Sequence, residues 1–219
     1  MAFALSLLLV LAGLSATQSG DAKGANRPED STAIDSLDRI IQKRFHEVIG
    51  FGMTRVGTER KFLPDTSEEK AVVKELKRTG YRVTLFLAGR NILQDIPDRF
   101  RYNRRLFGSA EDHMLSGPVT VGHDDLKGLP DARALWEPAR EALRQFDKGE
   151  SRYAFTENGW RIDARPVRAF AEECVKCHGR TSIQVTPDNT ITIIRSGDDN
   201  GLRVGDPVGA MLYVYKRKK

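Results

Sequence analysis

The chain has 219 residues, of which 40% are hydrophobic and 30% charged, and 35 basic against 30 acidic residues leave a net charge of +5. These values are typical of a globular protein and exclude a chain that is disordered or embedded in a membrane along its length. No nucleic-acid-binding motif accompanies the modest positive charge, so we expect no nucleic-acid partner. The charge permits an acidic partner without indicating one.

The N-terminal segment differs from the rest of the chain. Phe3 to Ala16 is apolar and uncharged, and a polar stretch follows it. This run is too short to span a bilayer comfortably and suits the apolar region of a secretory signal peptide, although no Lys or Arg precedes it. We therefore predict a signal peptide over residues 1–20 and a flexible leader over 21–31. The protein would be periplasmic or otherwise extracytoplasmic, without a membrane span after signal removal; an uncleaved N-terminal anchor is the alternative.

Three later segments have the sequence pattern of helices. "STAIDSLDRIIQKRFHEVI" begins with a capping Ser or Thr and carries apolar residues at helical spacing. "TSEEKAVVKELKRTG" offers Thr66 or Ser67 as cap and Gly80 as terminator. "LPDARALWEPAREALRQFDKG" is the third, in which Pro138 must lie in the first turns or break the helix. The apolar residues of the first helix are Ile34, Leu37, Ile40, Ile41, Phe45 and Val48.

The strand predictions concentrate in the second half. "YRVTLFLAG" reads as a buried strand and "GPVTVG" as a short one. "RYAFTENGWRIDARPVRAF" is typical of a hairpin with "ENG" at its tip. "NTITIIRS" and "GAMLYVYKR", separated by a turn at "GDDNG", are predicted to form a closing strand pair. The order of elements predicts an α+β domain with an antiparallel sheet over residues 32–219.

The pentapeptide "CVKCH" uses both cysteines of the chain, Cys174 and Cys177, followed at once by His178. In c-type haem attachment two thiols add to the two vinyl groups along one porphyrin edge, so they must lie close together on one short turn. The adjacent histidine then reaches the iron from one side of the ring. The pattern predicts one covalently bound haem c, with two cysteine thioethers and His178 as the proximal ligand.

Three other chemistries also use part of this pattern. A redox dithiol normally follows a strand in a βαβ unit, and no such unit surrounds the motif. A structural zinc site needs four ligands, but no further cysteine exists and His46, His113 and His123 are not paired in sequence. A plain disulfide leaves His178 unexplained.

The segments "ARPVRAFAEECVKCHGR" and "GLRVGDPVGAMLYVY" resemble the single-haem c-type cytochromes with a PAS-like fold, which include small soluble haem proteins and extracytoplasmic haem sensor domains. The similarity covers about residues 150–215, and "LPDARALWE" adds a weaker match. The resemblance implies a PAS-like antiparallel sheet flanked by helices, with the haem held at one edge.

The sixth iron position is the open question. At least one member of that family uses a cysteine thiolate there, whereas both cysteines of this chain are assigned to thioether bonds. The candidates are His113 first, His46 second and Met53 third; His46 and Met53 are seven residues apart, which is two helical turns.

Several other residues could line a haem. Arg165 and Arg168 flank Pro166 just before the motif and are candidate partners of the haem propionates, with a solvated strand face as the competing interpretation. Ordinary core packing explains the candidate aromatic walls equally well. Those aromatic residues are Trp136, Phe155, Trp160 and Phe170.

The leading hypothesis is an exported monohaem cytochrome that transfers single electrons to a redox partner of unknown identity, which the charge permits to be acidic. The alternative is a haem-based redox or gas-sensing module that acts through a separate partner. A haem enzyme would require an open iron site with acid and base groups, and no motif in the sequence points to one, so we expect no enzyme.

Overall fold

The structure is a computed structural model that describes residues 28–46, 61–90, 115–178, 181–185, 191–195 and 201–217. For residues 28–31, 116, 176–178, 181–185 and 191–195 it describes the backbone alone. The predicted signal peptide, most of the predicted leader and the "GDDNG" turn before Gly201 lie outside the described residues.

The described residues form four helices and seven strands. The helices are α1 (Pro28–Phe45), α2 (Ser67–Arg78), α3 (Ala132–Asp147) and α4 (Glu172–His178). The strands are β1 (Tyr81–Gly89), β2 (Ser116–Val121), β3 (Tyr153–Glu157), β4 (Trp160–Arg168), β5 (Thr181–Val185), β6 (Ile191–Arg195) and β7 (Pro207–Arg217).

Five of the strands form one antiparallel sheet in the order β2-β1-β7-β4-β3, and β5 and β6 form a separate antiparallel pair. The strands β1 and β7 come first and last along the chain but are neighbours in the larger sheet. They pair from Tyr81 opposite Arg217 to Gly89 opposite Gly209. The predicted α+β class with an antiparallel sheet is confirmed.

Alternate residues of the central strands point to opposite faces of the sheet, and each face is covered by helices. Val83, Leu85 and Tyr213 belong to the apolar cluster that packs under α1, α2 and α4, on what we call the α1 face. Phe86 and Leu212 belong to the cluster under α3, on the α3 face. The hydrophobic core is therefore two layers separated by the sheet.

The helical periodicity of α1 is confirmed, because the five predicted apolar residues that are described are all buried on the α1 face. The helix begins at Pro28, before the predicted Ser or Thr cap, since proline at a first helical position loses no hydrogen bond. Val48 lies outside the described residues. The buried set is Ile34, Leu37, Ile40, Ile41 and Phe45.

The caps of α2 and α3 follow from their sequences. Thr66 caps α2 as predicted and forms a capping box with Glu69. Asp131 caps α3 through the backbone N–H of Ala134. Pro138 lies inside α3, at its seventh residue, and the helix continues past it.

The predicted hairpin is confirmed as β3 and β4, joined at Asn158 and Gly159. These two residues have positive φ values of 50° and 74°, the backbone geometry of a two-residue hairpin turn, which asparagine and glycine adopt at low cost.

The predicted closing strand pair was wrong. β6 pairs with β5, whereas β7 lies between β1 and β4. The reason is the composition of β7, whose first nine residues are all buried; such a strand needs partners on both edges and cover on both faces.

None of the helices in the described part of the chain is long and apolar enough to cross a bilayer.

Candidate functional site

The "CVKCH" motif forms most of α4, a helix of seven residues. In a helix, residues three and four positions apart lie on one side. The backbone therefore places Cys174, Cys177 and His178 on one side of a single short helix. The sequence spacing predicted that these residues lie on one short turn, and the structure shows that this turn is helical.

Two backbone hydrogen bonds fix the position of α4 beside the sheet. The N–H of Ala169 donates to the carbonyl of Asp206 (2.9 Å), and the N–H of Gly205 donates to the carbonyl of Ala169 (2.7 Å). They join the segment after β4 to the turn before β7. The N–H of Cys174 then donates to the carbonyl of Ala171 (3.1 Å) as α4 begins. The motif is thus held at the end of the sheet where β4 ends and β7 starts.

Cys174 is 7% exposed and forms no disulfide. Together with Val175 it belongs to the apolar cluster of the α1 face, which also contains Val167, Val208 and Met211. A free thiol on a short helix, with apolar side chains around it, is suitable for attaching one edge of a porphyrin, which is itself largely apolar. For Cys177 and His178 the structure describes the backbone alone, so the haem stays a prediction.

Of the three candidate distal ligands, His46 is the one that lies within the described residues. It follows α1 directly, is exposed, and has its ring centroid 4.9 Å from that of Phe170 with a tilt of 42°. Phe170 precedes Cys174 by four residues. The fold thus brings His46 next to the segment that leads into the motif, whereas His113 and Met53 lie outside the described residues.

Arg165 lies on the α1 face of β4 and is surrounded by carboxylates. Its Nε donates to Oδ1 of Asp163 (3.0 Å), its Nη2 donates to Oδ2 of the same residue (3.1 Å), and Nη2 also bonds Asp35 of α1. Asp163 is fully buried and has a second cation, Arg152, with 2.7 Å between Nη2 and Oδ2. Burial raises the pKa of Asp163, and the two arginines oppose that rise.

These contacts give the guanidinium of Arg165 two carboxylate partners within the protein and tie β4 to α1. Arg168, nearer to the motif, donates from Nη1 to the carbonyl of Gly205 (3.0 Å). The interaction of either arginine with a propionate stays a prediction.

A second set of hydrogen bonds joins α1 to the same part of the sheet. The hydroxyl of Tyr213 donates to Oδ1 of Asp38 (2.7 Å), which also accepts from Nε2 of Gln42 (3.1 Å). Gln42 donates in turn to the carbonyl of Pro166 (3.1 Å). Because Tyr213 is fully buried, burial raises its pKa well above the usual range, so this hydroxyl keeps its proton. These bonds fix the position of α1, and hence of His46, relative to β4.

Trp136 and Trp160 lie in the cluster of the α3 face, across the sheet from Cys174. Trp160 packs between the cations of Arg82 and Lys216, and Phe155 lies at the edge of the same cluster. These aromatic residues are structural packing on the far face. Phe170, in contact with His46, is the one that lies beside the motif.

Two further features lie away from α4. His123 is half-buried, with 2.8 Å between its Nε2 and the carbonyl of Val83, and burial lowers its pKa. A groove of about 520 Å³ lies between α1 and α2 and is lined by residues including Ala33 and Arg217. Within the described residues no three His, Cys, Asp or Glu side chains are grouped so as to hold a metal ion.

Sequence reasoning missed the buried carboxylate of Asp163. The signal for it was the spacing Asp163-x-Arg165 within a predicted strand, because residues two apart share one face of a strand. The roles of Asp35 and Asp38 could not be predicted from the sequence in this way. Their partners Arg165 and Tyr213 are more than a hundred residues away along the chain.

Comparisons of this chain with protein-family models, with curated proteins and with solved structures found no match.

Proposed function

We propose that this chain is an exported monohaem c-type cytochrome of PAS-like fold that transfers single electrons. The observation that carries the proposal is the "CVKCH" motif on one short helix, with a free Cys174 packed against an apolar cluster at one end of an antiparallel sheet. The five-stranded sheet with helices on both faces supports the PAS-like arrangement.

Three residues of the motif would attach the haem and bind its iron. Cys174 and Cys177 would form the thioether bonds, and His178 would bind the iron from the proximal side. When bound, the haem supplies an iron that accepts and returns one electron. The hydrogen bonds between Ala169 and the 205–206 turn hold α4 against the sheet, and so would hold the thiol groups of the motif in place for attachment.

His46 is the distal ligand that the described geometry favours. It is attached to the end of α1, whose position is fixed by the bonds from Gln42 and Tyr213, and its ring lies against Phe170. A second histidine would give a six-coordinate, low-spin iron, which suits electron transfer since the iron need not change ligands. Arg168, the nearer of the two candidate arginines in sequence, would pair with a propionate and leave Arg165 with Asp163 and Asp35.

The test is covalent attachment. The chain is expressed with a cytochrome c maturation system, and the denatured protein is examined by pyridine haemochrome absorbance and intact mass. We expect one haem per chain in the unaltered protein, held by two thioether bonds. In Cys174→Ala or Cys177→Ala the haem should be held by the one remaining thioether bond, and the double variant should hold no covalent haem. A pyridine haemochrome α band in either single variant at the same wavelength as in the unaltered chain would overturn the proposal, because the loss of one thioether bond leaves one vinyl group conjugated with the ring. An unaltered chain of apoprotein mass would also overturn it.

Arg144→Ala is the matched control, because Arg144 is exposed on α3 and lies on the other face of the sheet. It should attach haem as the unaltered chain does. Circular dichroism of each variant separates a loss of attachment from a loss of folding.

A further inference from the structure

The first and last described residues of the domain lie at the same end of the sheet, which we call the terminal end. Tyr81, where β1 starts, pairs with Arg217, where β7 ends, and both line a groove with Ala33 near the start of α1. The helix α4 is at the other end, beside the start of β7 at Pro207. The ten residue-to-residue steps of β7 between Pro207 and Arg217 separate the two ends by about 33 Å.

Basic residues gather at the terminal end. Lys77 and Arg78 form the last turn of α2, Lys216 and Arg217 end β7, and the sequence continues with two further lysines, residues 218 and 219. Exposed Lys127 lies in the loop that follows β2, which Arg82 of β1 holds in place by donating to the carbonyl of Asp125 (2.9 Å). Four separate segments of the described chain, α2, β1, the loop after β2 and β7, thus bring positive charge, or the residues that place it, to one end of the sheet.

Several acidic residues at this end are already paired. Arg78 binds Glu75, Lys61 binds Asp124 (2.8 Å), and Arg82 binds Asp125 (3.0 Å). These pairs neutralise Lys61, Arg78 and Arg82 as well. The cations at this end outside the pairs are Lys77, Lys127, Lys216 and Arg217, against Glu157 on the hairpin. The surface is therefore complementary to an anionic partner.

Apolar groups accompany the charge. Leu126, directly before Lys127, is 45% exposed. The groove between α1 and α2 opens at the same end, with the partly buried Val72 in its lining and Glu75, Arg78 and Arg217 among its charged residues. Exposed apolar groups beside cations match the boundary between lipid headgroups and acyl chains.

The chain outside the described residues reaches the domain at this same end. The apolar segment Phe3 to Ala16 is joined to α1 by residues 17–27. These eleven residues span at most about 37 Å when extended. A membrane that holds the apolar segment is therefore within reach of the terminal end.

We propose that the terminal end is a docking surface for an anionic phospholipid membrane. Bound in this way, the domain directs α4 away from the lipid, about 33 Å into the aqueous compartment. This inference does not depend on the haem, and it holds whether the apolar segment is cleaved or kept.

The test is amine labelling followed by mass spectrometry on the chain as it is produced, whose N-terminus the same instrument reads. The labelling rate of each lysine is measured in the presence of vesicles of phosphatidylglycerol in phosphatidylcholine and in the presence of vesicles of phosphatidylcholine alone, and the two rates are compared. We expect anionic vesicles to slow labelling of Lys77, Lys127 and Lys216 severalfold and to leave Lys43 and Lys148, at the opposite end, unchanged. High salt should remove the protection.

Two matched triple variants complete the test, each replacing two exposed lysines and one exposed arginine by glutamine. Changing Lys77, Lys127 and Arg217 should weaken vesicle binding about a hundredfold, since each neutralised charge near the surface contributes about fivefold. Changing Lys43, Lys148 and Arg203 should weaken it less than threefold. If the apolar segment is retained, protection of Lys216 is the measure of binding in both variants.

Equal losses in the two triple variants would overturn the proposal, because they would show a general attraction of the whole positive chain. Protection that is the same with neutral vesicles, or that falls at the opposite end, would also overturn it. Thermal unfolding of each variant confirms that the domain is folded.

Discussion

At the scale of single residues, Arg44 of α1 and Glu69 of α2 form an ion pair. Both side chains are buried, with 2.7 Å between Nε and Oε1 and 2.8 Å between Nη2 and Oε2, and Arg44 stacks over Phe62. Oε2 of Glu69 also accepts the backbone N–H groups of Asp65 and Thr66. The pair joins α1 to the start of α2.

The hydrogen bonds from Arg44 lower the pKa of Glu69 to about 2. A carboxyl group whose pKa is lower in the folded chain than in the unfolded chain stabilises the fold at pH values above its pKa in the unfolded chain. This contribution is lost as the pH falls through the pKa of the group in the folded chain. The pair should therefore stabilise the protein at neutral pH and lose up to about 3 kcal/mol between about pH 5 and pH 2.

Glu69→Gln tests this prediction through the free energy of unfolding in urea at pH 7 and pH 3. The variant should be less stable at pH 7 and should lose less stability between the two pH values, because glutamine does not titrate. Glu68→Gln, an exposed neighbour, is the control and should follow the unaltered protein. Parallel pH curves for Glu69→Gln and the unaltered chain would contradict the assignment.

His46→Ala tests the distal ligand. On the haem-loaded protein, loss of His46 should shift the Soret and α/β bands toward five-coordinate, high-spin iron and open the iron to carbon monoxide. His123→Ala is the matched control, since His123 lies near the terminal end against Val83. An unchanged spectrum in His46→Ala would remove His46 as the ligand and leave His113, ranked first from the sequence, and Met53 as the candidates. If the unaltered protein itself binds carbon monoxide readily, sensing is favoured over electron transfer.

At the scale of elements, α3 departs most from its local sequence preference. Pro138 has no N–H to donate to the carbonyl of Ala134, four residues before it, yet the helix runs unbroken from Ala132 to Asp147. Burial compensates for the missing bond, because Leu135, Trp136, Leu143 and Phe146 pack against the sheet.

Pro138→Ala should therefore raise the free energy of unfolding by about 1–3 kcal/mol, because it restores the hydrogen bond and removes the clash of the ring with the preceding turn. Urea unfolding measures the change. Glu137→Ala, an exposed neighbour paired with Arg140, should alter stability by no more than about 0.5 kcal/mol. A less stable Pro138→Ala would show that packing of the proline ring outweighs the restored bond.

At the scale of the whole molecule, the sheet separates the two proposed sites. The helix α4 lies at the end where β4 finishes and β7 begins, and the terminal end carries the basic surface proposed to dock on lipid. The strand β7 runs the length between them and pairs with β1 on one side and β4 on the other. This strand thus couples the two ends as one rigid element, which would keep the haem site at a set distance from the membrane.

The sequence alone determined the local features. The apolar spacing of α1, the capping box of Thr66 and Glu69 and the Asn158-Gly159 turn are written in neighbouring residues, and their elements were predicted correctly. The prediction of a covalent haem likewise depends on the five consecutive positions of "CVKCH". Local patterns are sufficient here because backbone geometry and capping depend on residues a few positions apart.

The tertiary structure decided everything that depends on distant partners. Only the fold shows that β6 pairs with β5, that Trp136 and Trp160 lie across the sheet from Cys174, and that His46 lies beside Phe170. The sequence could not reveal that Arg165 binds Asp35, 130 residues away. Strand pairing and the choice of sheet face depend on the total apolar surface that the whole chain buries. That total depends on contacts between distant segments, so it cannot be predicted from any one segment.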